Sequence, residues 1–142
     1  MSIEENKEII RRLVGAGNTD EDIDPDQLVD ELFSPDFVDH SPDPGQEPGL
    51  EGLKQHNQHY FNAFPDAQFI LKDMVAEGDK VTVRTVRTGT HKEEYIGIPP
   101  TGRTFSVDDL SIYRIVDGKI VEHWEVFDRY TMLVQLGIIA ET

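Results

Sequence analysis

The 142-residue chain contains no cysteine, and its 13 lysine and arginine residues are far outnumbered by 28 aspartate and glutamate residues. Without cysteine the protein has no disulfide, no thiolate metal ligand and no cysteine nucleophile. The formal net charge of -15 at pH 7 repels nucleic acids and anionic membranes, so we expect neither as a partner. No apolar run approaches the roughly 18 residues that a membrane-spanning helix needs.

The first ten residues, MSIEENKEII, are mostly acidic and polar. They lack the basic start and the apolar stretch of a secretory signal peptide. Together with the absence of cysteine, this is consistent with a cytoplasmic protein. The length suits one domain with a sizeable core, so we expect residues 1–142 to form a single domain.

Hydrophobic periodicity divides the chain into a helical first half and a strand-rich second half. Helices are predicted over residues 3–14, from Asp24 or Asp26 to Phe33, over residues 49–64 and over residues 129–136. Strands are predicted over residues 68–77, 80–90, 104–116 and 119–127, with hairpin turns at Gly78-Asp79 and Asp117-Gly118. Helices followed by a meander of long strands are typical of an α+β fold with helices on one face of a curved antiparallel sheet.

Residues 117–137, DGKIVEHWEVFDRYTMLVQLG, resemble the C-terminal signature of the SnoaL-like polyketide cyclases, also called ester cyclases, of the NTF2-like superfamily. Four more segments, DFVDHSP (36–42), AFPD (63–66), GTH (89–91) and GIPPTGR (97–103), occur in the family's order. The resemblance implies a cone whose helices and concave sheet enclose one pocket, and a homodimer formed through the sheet.

The same resemblance implies a reaction that needs neither a metal nor an organic cofactor. In this family an aspartate removes a proton from a carbon acid, drives an intramolecular aldol closure and returns the proton to the new hydroxyl. The expected substrate is a hydrophobic, polyketide-like ester. The position of the family's aspartate matches Asp128.

Strand alternation relates Asp128 to its neighbours on the last strand. One face carries Glu122, Trp124, Val126 and Asp128, and the other carries His123, Glu125 and Phe127. Provided that no β-bulge intervenes, Asp128 faces the pocket together with Trp124, a predicted substrate contact. Desolvation would then raise the pKa of Asp128 towards the range of a general acid or base. The alternative is that Asp128 caps the last helix through the amide of Tyr130 or Thr131.

Histidine is the other residue suited to proton transfer near neutral pH. His40 precedes the proline- and glycine-rich segment 41–49, which we interpret as a mobile flap over the pocket. We predict His40 as the second catalytic residue, or else as a turn histidine bonded to Asp39 or Ser41. His91, at a strand end, either contacts the substrate or satisfies backbone carbonyls.

Three other histidines are predicted to lie outside the site. His123 faces away from Asp128 by strand alternation, which favours the surface or an interface. His56 and His59 are three residues apart on a helix, and a metal site there needs a third ligand, so a solvent-exposed face is the better interpretation. The acidic segment 20–30 lacks the ligand pattern and central glycine of a calcium loop, so no metal site is predicted.

Arg84 and Arg87 lie on opposite faces of one predicted strand, and one guanidinium is expected in the cavity, paired with Asp128 or holding an enolate oxygen. Arg87 has the more apolar surroundings, whereas the family pattern favours Arg84, which we take as the predicted substrate-binding residue. Tyr113 lines the cavity or packs under a helix.

Two alternatives to the cyclase remain open because a fold does not fix a function. One is a binding domain that holds an apolar small molecule without reacting with it. The other is an enzyme like ketosteroid isomerase or epoxide hydrolase, in which Asp109 and Tyr113 supply the acid and the tyrosine. A homodimer is expected from an exposed sheet face carrying Ile112 or Tyr113 and Phe127.

Overall fold

The computed structural model describes residues 2–15 and 24–140. Its elements in chain order are α1 (Ile3–Gly15), α2 (Pro25–Leu32), β1 (Phe33–Asp39), α3 (Gly49–Ala63), β2 (Gln68–Glu77), β3 (Lys80–Thr90), β4 (Thr104–Val116), β5 (Lys119–Phe127) and α4 (Arg129–Gln135). The α+β prediction is confirmed, and the four long strands have the predicted bounds. Residues 20–23 of the acidic segment lie outside the described residues. Within the described residues, no helix is long and apolar enough to cross a membrane.

The sheet has five strands in the order β1-β5-β4-β3-β2, one more than predicted. The additional strand, β1, begins at Phe33, immediately after α2. Phe33 was assigned to the helix, yet its φ of -104° and ψ of 147° are extended. β1 pairs in parallel with β5 and lies at the sheet edge, which explains how Pro35 is tolerated within it.

Local sequence sets the start of α2, one of the helices that cover the sheet. The Oδ1 of Asp24 accepts a hydrogen bond from the amide of Asp26 at 3.0 Å, and Pro25 occupies the first helical position of α2. The helices α1 and α2 contribute Ile10, Leu28, Val29 and Leu32 to one core cluster. The helices α3 and α4 contribute Tyr60, Ala63 and Met132 to a second, together with Leu136 at the end of α4. Both clusters bury the face of the sheet that the helices cover, which we call the concave face.

The hairpin between β4 and β5 contains the irregularity that decides which side chains reach the concave face. Asp117 and Gly118 have φ values of 50° and 78°, as a two-residue hairpin turn requires. Next to the turn Ile115 pairs with Ile120, but the following pair is Arg114 with Glu122. Val121 is therefore an extra residue, and this β-bulge reverses the alternation along β5.

Beyond the bulge, the odd-numbered residues of β4 and β5 lie opposite one another on the concave face. Tyr113 pairs with His123, Ser111 with Glu125 and Asp109 with Phe127. The even-numbered residues of this part of β5 lie on the other, convex face, where Val126 is 76% exposed.

Candidate active site

A cavity of about 330 Å³ lies between the helices and the concave face of the sheet. Its apolar lining includes Leu13, Val14, Leu28, Val29, Phe33, Phe37, Leu53, Tyr60, Phe61, Phe69 and Val83. Its polar lining includes Asp39, Ser41, Asp43, His56, Arg87, Asp109, Ser111, His123 and Glu125. A largely apolar cavity with a few convergent polar groups is the usual form of a small-molecule site.

Asp109 of β4 and Glu125 of β5 place two carboxyl groups on the concave face of adjacent strands. Burial, and then the hydrogen bond with Glu125 and its negative charge, raise the pKa of Asp109 to about 8. Burial also acts to raise the pKa of Glu125, but the hydrogen bond from Asp109 and the charge of Arg87 outweigh it and lower that pKa. At neutral pH Asp109 therefore holds a proton beside an ionised Glu125.

The two carboxyl oxygens of Asp109 have different surroundings. Its Oδ1 accepts a hydrogen bond from the Ser111 hydroxyl at 3.2 Å. Its Oδ2 is buried, and no donor among the described residues bonds to it.

Arg87 supplies the positive charge next to the carboxyl pair. Its Nη1 lies 3.5 Å from the Oδ2 of Asp109, and both side chains are almost fully buried. Its guanidinium carbon lies 4.7, 5.1 and 4.4 Å from the ring centres of Tyr60, Phe69 and Phe127. These rings attract the cation and hold it in one place.

His123 connects the carboxyl pair to the edge of the sheet. Its Nε2 lies 3.1 Å from the Ser111 hydroxyl, and its Nδ1 lies 3.4 Å from the Oδ1 of Asp39 in β1. Burial acts to raise the pKa of Asp39, but hydrogen bonds from His123 and the Ser41 amide lower it. A continuous set of polar contacts thus runs from Asp39 to Asp109 across three strands.

The segment 41–49 lies against this polar lining. The Asp43 carboxylate accepts a hydrogen bond from Nη2 of Arg129 at 2.6 Å and lies 3.2 Å from Nδ1 of His56. The Ser41 hydroxyl accepts a hydrogen bond from the Glu125 amide at 2.9 Å. The segment therefore borders the cavity, as its interpretation as a flap requires, and its mobility stays a prediction. His56 lines the cavity, so its assignment to a solvent-exposed face is wrong.

Asp128 lies outside the cavity, so the prediction that its carboxylate faces the pocket is wrong. Its Oδ1 accepts a hydrogen bond from the Thr131 amide at 3.0 Å, and its Oδ2 accepts one from the Thr131 hydroxyl at 2.6 Å. These two bonds cap α4 and lower the pKa of the exposed carboxylate instead of raising it. The alternative interpretation, a helix cap, matches the structure.

The β-bulge also turns Trp124 onto the convex face. Its indole stacks on the His40 ring with the ring centres 4.7 Å apart. His40 is exposed there, and its Nε2 lies 2.7 Å from Oε2 of Glu122. The prediction that Trp124 and His40 lie in the pocket is therefore wrong, because both side chains lie on the convex face.

Of the remaining predicted contacts, Tyr113 lines the cavity and stacks on His123 at 4.6 Å. Arg84 lies on the convex face and forms an ion pair with Asp73 at 2.6 Å. His91 is fully buried away from the cavity lining and accepts a hydrogen bond from the Thr101 amide at 3.3 Å. The prediction of cavity contacts is wrong for Arg84 and His91.

Besides His56, three polar residues of the cavity were placed elsewhere by the sequence analysis. Glu125 and His123 were assigned to the face away from the pocket, because the alternation was counted without a bulge. Arg87 was passed over for Arg84, although its apolar neighbours Val81 and Val83 had indicated the core. That signal was sufficient to find Arg87.

The cap predicts a stability effect without a large effect on activity. Asp128→Ala is expected to lower the free energy of unfolding by about 1 kcal/mol, because the amide and the hydroxyl of Thr131 lose their acceptor. Urea denaturation measures the change. Asp128→Asn retains an N-cap side chain and serves as the matched control, with a smaller loss. A folded Asp128→Ala protein of unchanged stability and abolished activity would contradict this role.

The comparisons with known proteins agree with this geometry. Residues 10–136 match the family model described as SnoaL-like polyketide cyclase. The aklanonic acid methyl ester cyclase DauD of Streptomyces sp. (strain C5) is 30% identical over 132 residues, covering 92% of this chain and 80% of that protein. The nogalonic acid methyl ester cyclase of Streptomyces nogalater is 32% identical over 111 residues, covering 77% of this chain and 83% of that protein.

Solved structures are similar over almost the whole chain. The structure of TsrD from Streptomyces laurentii has a TM-score of 0.84 and 27% sequence identity, covering 98% of this chain and 99% of that one. The fold implied by the resemblance, an NTF2-like arrangement of helices on a curved sheet, is therefore confirmed. With its family model matched from residue 10 to residue 136, the chain belongs to the SnoaL-like polyketide cyclases.

Proposed function

We propose that this protein is a cofactor-independent cyclase that closes a ring in a hydrophobic, polyketide-derived ester, with Glu125 and Asp109 as its base and acid. The observation that carries the proposal is a pair of carboxyl groups on adjacent strands that line a largely apolar cavity, with pKa values shifted in opposite directions. Such a pair provides a base and an acid at the same pH. The relatives named as methyl ester cyclases support the choice of substrate.

The proposed reaction is an intramolecular aldol closure. The Glu125 carboxylate takes a proton from a carbon next to a carbonyl group, and the resulting carbanion forms a carbon–carbon bond to a second carbonyl carbon. The π electrons of that carbonyl move to its oxygen, which takes the proton of Asp109 and becomes a hydroxyl. Transfer of the proton from Glu125 to Asp109 through their hydrogen bond restores the starting state.

This mechanism gives the predicted residues different roles from those expected. Asp128 and His40 are not used, because neither side chain lines the cavity. Tyr113 is retained as a substrate contact, since it lines the cavity beside His123. The isomerase-like alternative shares Asp109 and Tyr113, but the partly apolar lining and the methyl ester cyclases among the relatives favour ring closure.

Turnover with the esters of the relatives tests the function. Aklanonic acid methyl ester and nogalonic acid methyl ester are incubated with the protein. The products are separated by liquid chromatography, and their masses are measured by mass spectrometry. The expected product has the mass of its substrate and a changed retention time, because an aldol closure only rearranges atoms. Binding of either ester without an isomeric product, and without exchange of its acidic C–H protons for deuterium, would favour the binding-domain alternative.

We also propose that the protein is a homodimer joined through the convex face of the sheet. This face carries exposed apolar residues on three strands, namely Val75, Leu110, Ile112 and Val126. Tyr113 and Phe127, two of the residues expected to form this surface, lie on the concave face instead. Light scattering at micromolar concentration is expected to give twice the chain mass of 16.1 kDa, and a mass near 16.1 kDa would contradict the dimer.

Two further properties stay predictions from the sequence. The absence of a cofactor requirement is consistent with the mechanism, in which every proton is carried by a side chain. The geometry of the site does not test the cytoplasmic location, which stays a prediction.

A further inference from the structure

The cavity contains two polar groups that the acid–base pair does not use. The Tyr60 hydroxyl and the Arg87 Nε atom are buried, and neither has a hydrogen-bond partner among residues 2–15 and 24–140. Tyr60 of α3 and Arg87 of β3 are 3% and 5% exposed, and both line the cavity. Leaving a buried donor unpaired is unfavourable, so these groups indicate where a ligand atom completes the site.

Both groups are suited to donate hydrogen bonds. Burial raises the pKa of the Tyr60 hydroxyl to about 12, although the positive charge of Arg87 opposes the shift. The phenol therefore keeps its proton at all working pH values. The Arg87 Nε–H is a donor only, because a guanidinium has no acceptor. Two donors and one permanent positive charge favour an anionic oxygen as the missing partner.

The charge movement in the proposed reaction leads to the same conclusion. Before proton transfer the negative charge lies on Glu125, which interacts with both Arg87 and Tyr60. After transfer Glu125 is neutral, and the charge lies on the carbonyl oxygen of the enolate. The guanidinium is fixed among Tyr60, Phe69 and Phe127, so it stabilises the new charge without rearranging.

We propose that Tyr60 and Arg87 form an oxyanion subsite that binds the enolate oxygen of the substrate. The ligand class is a planar, conjugated oxyanion: the enolate of a carbonyl compound, or a stable analogue such as an ionised hydroxyanthraquinone. The identity of the enolate rests on the proposed function, whereas the binding of a stable oxyanion does not.

The test uses 1,2-dihydroxyanthraquinone, whose colour reports whether its hydroxyl is ionised. The dye is bound to the protein and titrated with base while its absorption spectrum is recorded. In the Tyr60→Phe variant the midpoint of ionisation is expected to lie about one pH unit or more above its value in the wild-type protein, since the anion loses one donor. Arg87→Gln is expected to raise the midpoint further.

Tyr95→Phe is the matched control. Tyr95 is a buried tyrosine outside the cavity lining, so removing its hydroxyl is expected to leave the dye's midpoint unchanged. If the dye fails to bind the wild-type protein, or if Tyr60→Phe leaves the midpoint where it was, the subsite is overturned. The same holds if Tyr95→Phe shifts the midpoint as much as Tyr60→Phe does.

Kinetics separates this proposal from the proposed function. Tyr60→Phe is expected to lower kcat by roughly 10²-fold with little change in KM, because the donor acts on the developing charge. Glu125→Gln is expected to lower kcat by roughly 10³-fold or more, while the bound dye still ionises as in the wild-type protein. If Glu125→Gln is inactive and Tyr60→Phe leaves the ionisation midpoint of the dye unchanged, the subsite is wrong and the proposed function stands. An active Glu125→Gln protein would contradict the proposed function, independently of the dye titration.

Discussion

The Glu125→Gln variant is expected to lose roughly 10³-fold or more of kcat, within the range known for removal of a general base. The amide has nearly the shape of the carboxyl group but cannot accept the substrate proton. Because Asp109 also loses the negative neighbour that helps to raise its pKa, the acid is altered together with the base. Turnover of a methyl ester substrate, measured on protein of verified fold, gives the result.

Glu122→Gln is the matched control for this experiment. Glu122 lies on the same strand, three residues from Glu125, but on the convex face. The substitution there makes the same chemical change outside the cavity. Its ion pairs with His40 and Arg114 are partly exposed, so their loss is expected to cost little stability and leave kcat within about twofold. Full activity in folded Glu125→Gln, or loss of activity in Asp128→Asn alone, would contradict our assignment of the base.

The pH dependence of kcat/KM is expected to have an alkaline limb near pH 8. The mechanism needs Asp109 protonated, and its raised pKa of about 8 keeps the proton in place below that pH. Above it the rate falls by about tenfold per pH unit, since each unit removes about nine-tenths of the remaining acid. The lowered pKa of Glu125 keeps the base ionised at neutral pH and confines the acid limb to acidic solution.

Asp109→Asn identifies the group behind the alkaline limb. The variant is expected to show low residual activity with no fall near pH 8, because an amide does not ionise. Both limbs are properties of the coupled pair rather than of either residue alone, so the base variant also shifts the alkaline limb. A wild-type profile that is flat up to pH 9, or an alkaline limb that survives in Asp109→Asn, would show that another group supplies the proton.

Much of the fold could be predicted because local signals agree with the tertiary structure. Buried and less buried residues alternate along β3 and most of β4, and both hairpin turns consist of glycine and aspartate. In contrast, β1 buries only Phe33 and Phe37 and does not alternate. The apolar pattern of α2 also continues into Phe33, so periodicity alone places Phe33 in the helix.

The candidate site was harder to predict because one inserted residue reverses a whole strand. Counting by two from buried Ile120 places Trp124 and Asp128 on the concave face. The bulge at Val121 turns those residues outward and brings Glu125 inward. A bulge of this kind depends on how two strands pair, and Val121 is an ordinary strand residue with no local signature.

The position of Arg87 could be predicted from the apolar pattern of its own strand. Its strand neighbours Val81 and Val83 are buried, and the regular pairing of β3 with β4 places Asp109 opposite Thr85 on the same face. The apolar pattern of a single strand was therefore a better guide to the cavity than the family pattern that favoured Arg84.

The state of the carboxyl pair tests the account most directly, because the mechanism depends on a proton held by Asp109 at neutral pH. Protein labelled with ¹³C at the aspartate carboxyl carbons is titrated by NMR, and the Asp109 resonance is identified by its absence in Asp109→Asn. We expect this resonance alone to titrate near pH 8. If the Asp109 resonance instead titrates with the exposed aspartates, near the ordinary value of about 4, the pair does not share a proton and the proposed mechanism is wrong.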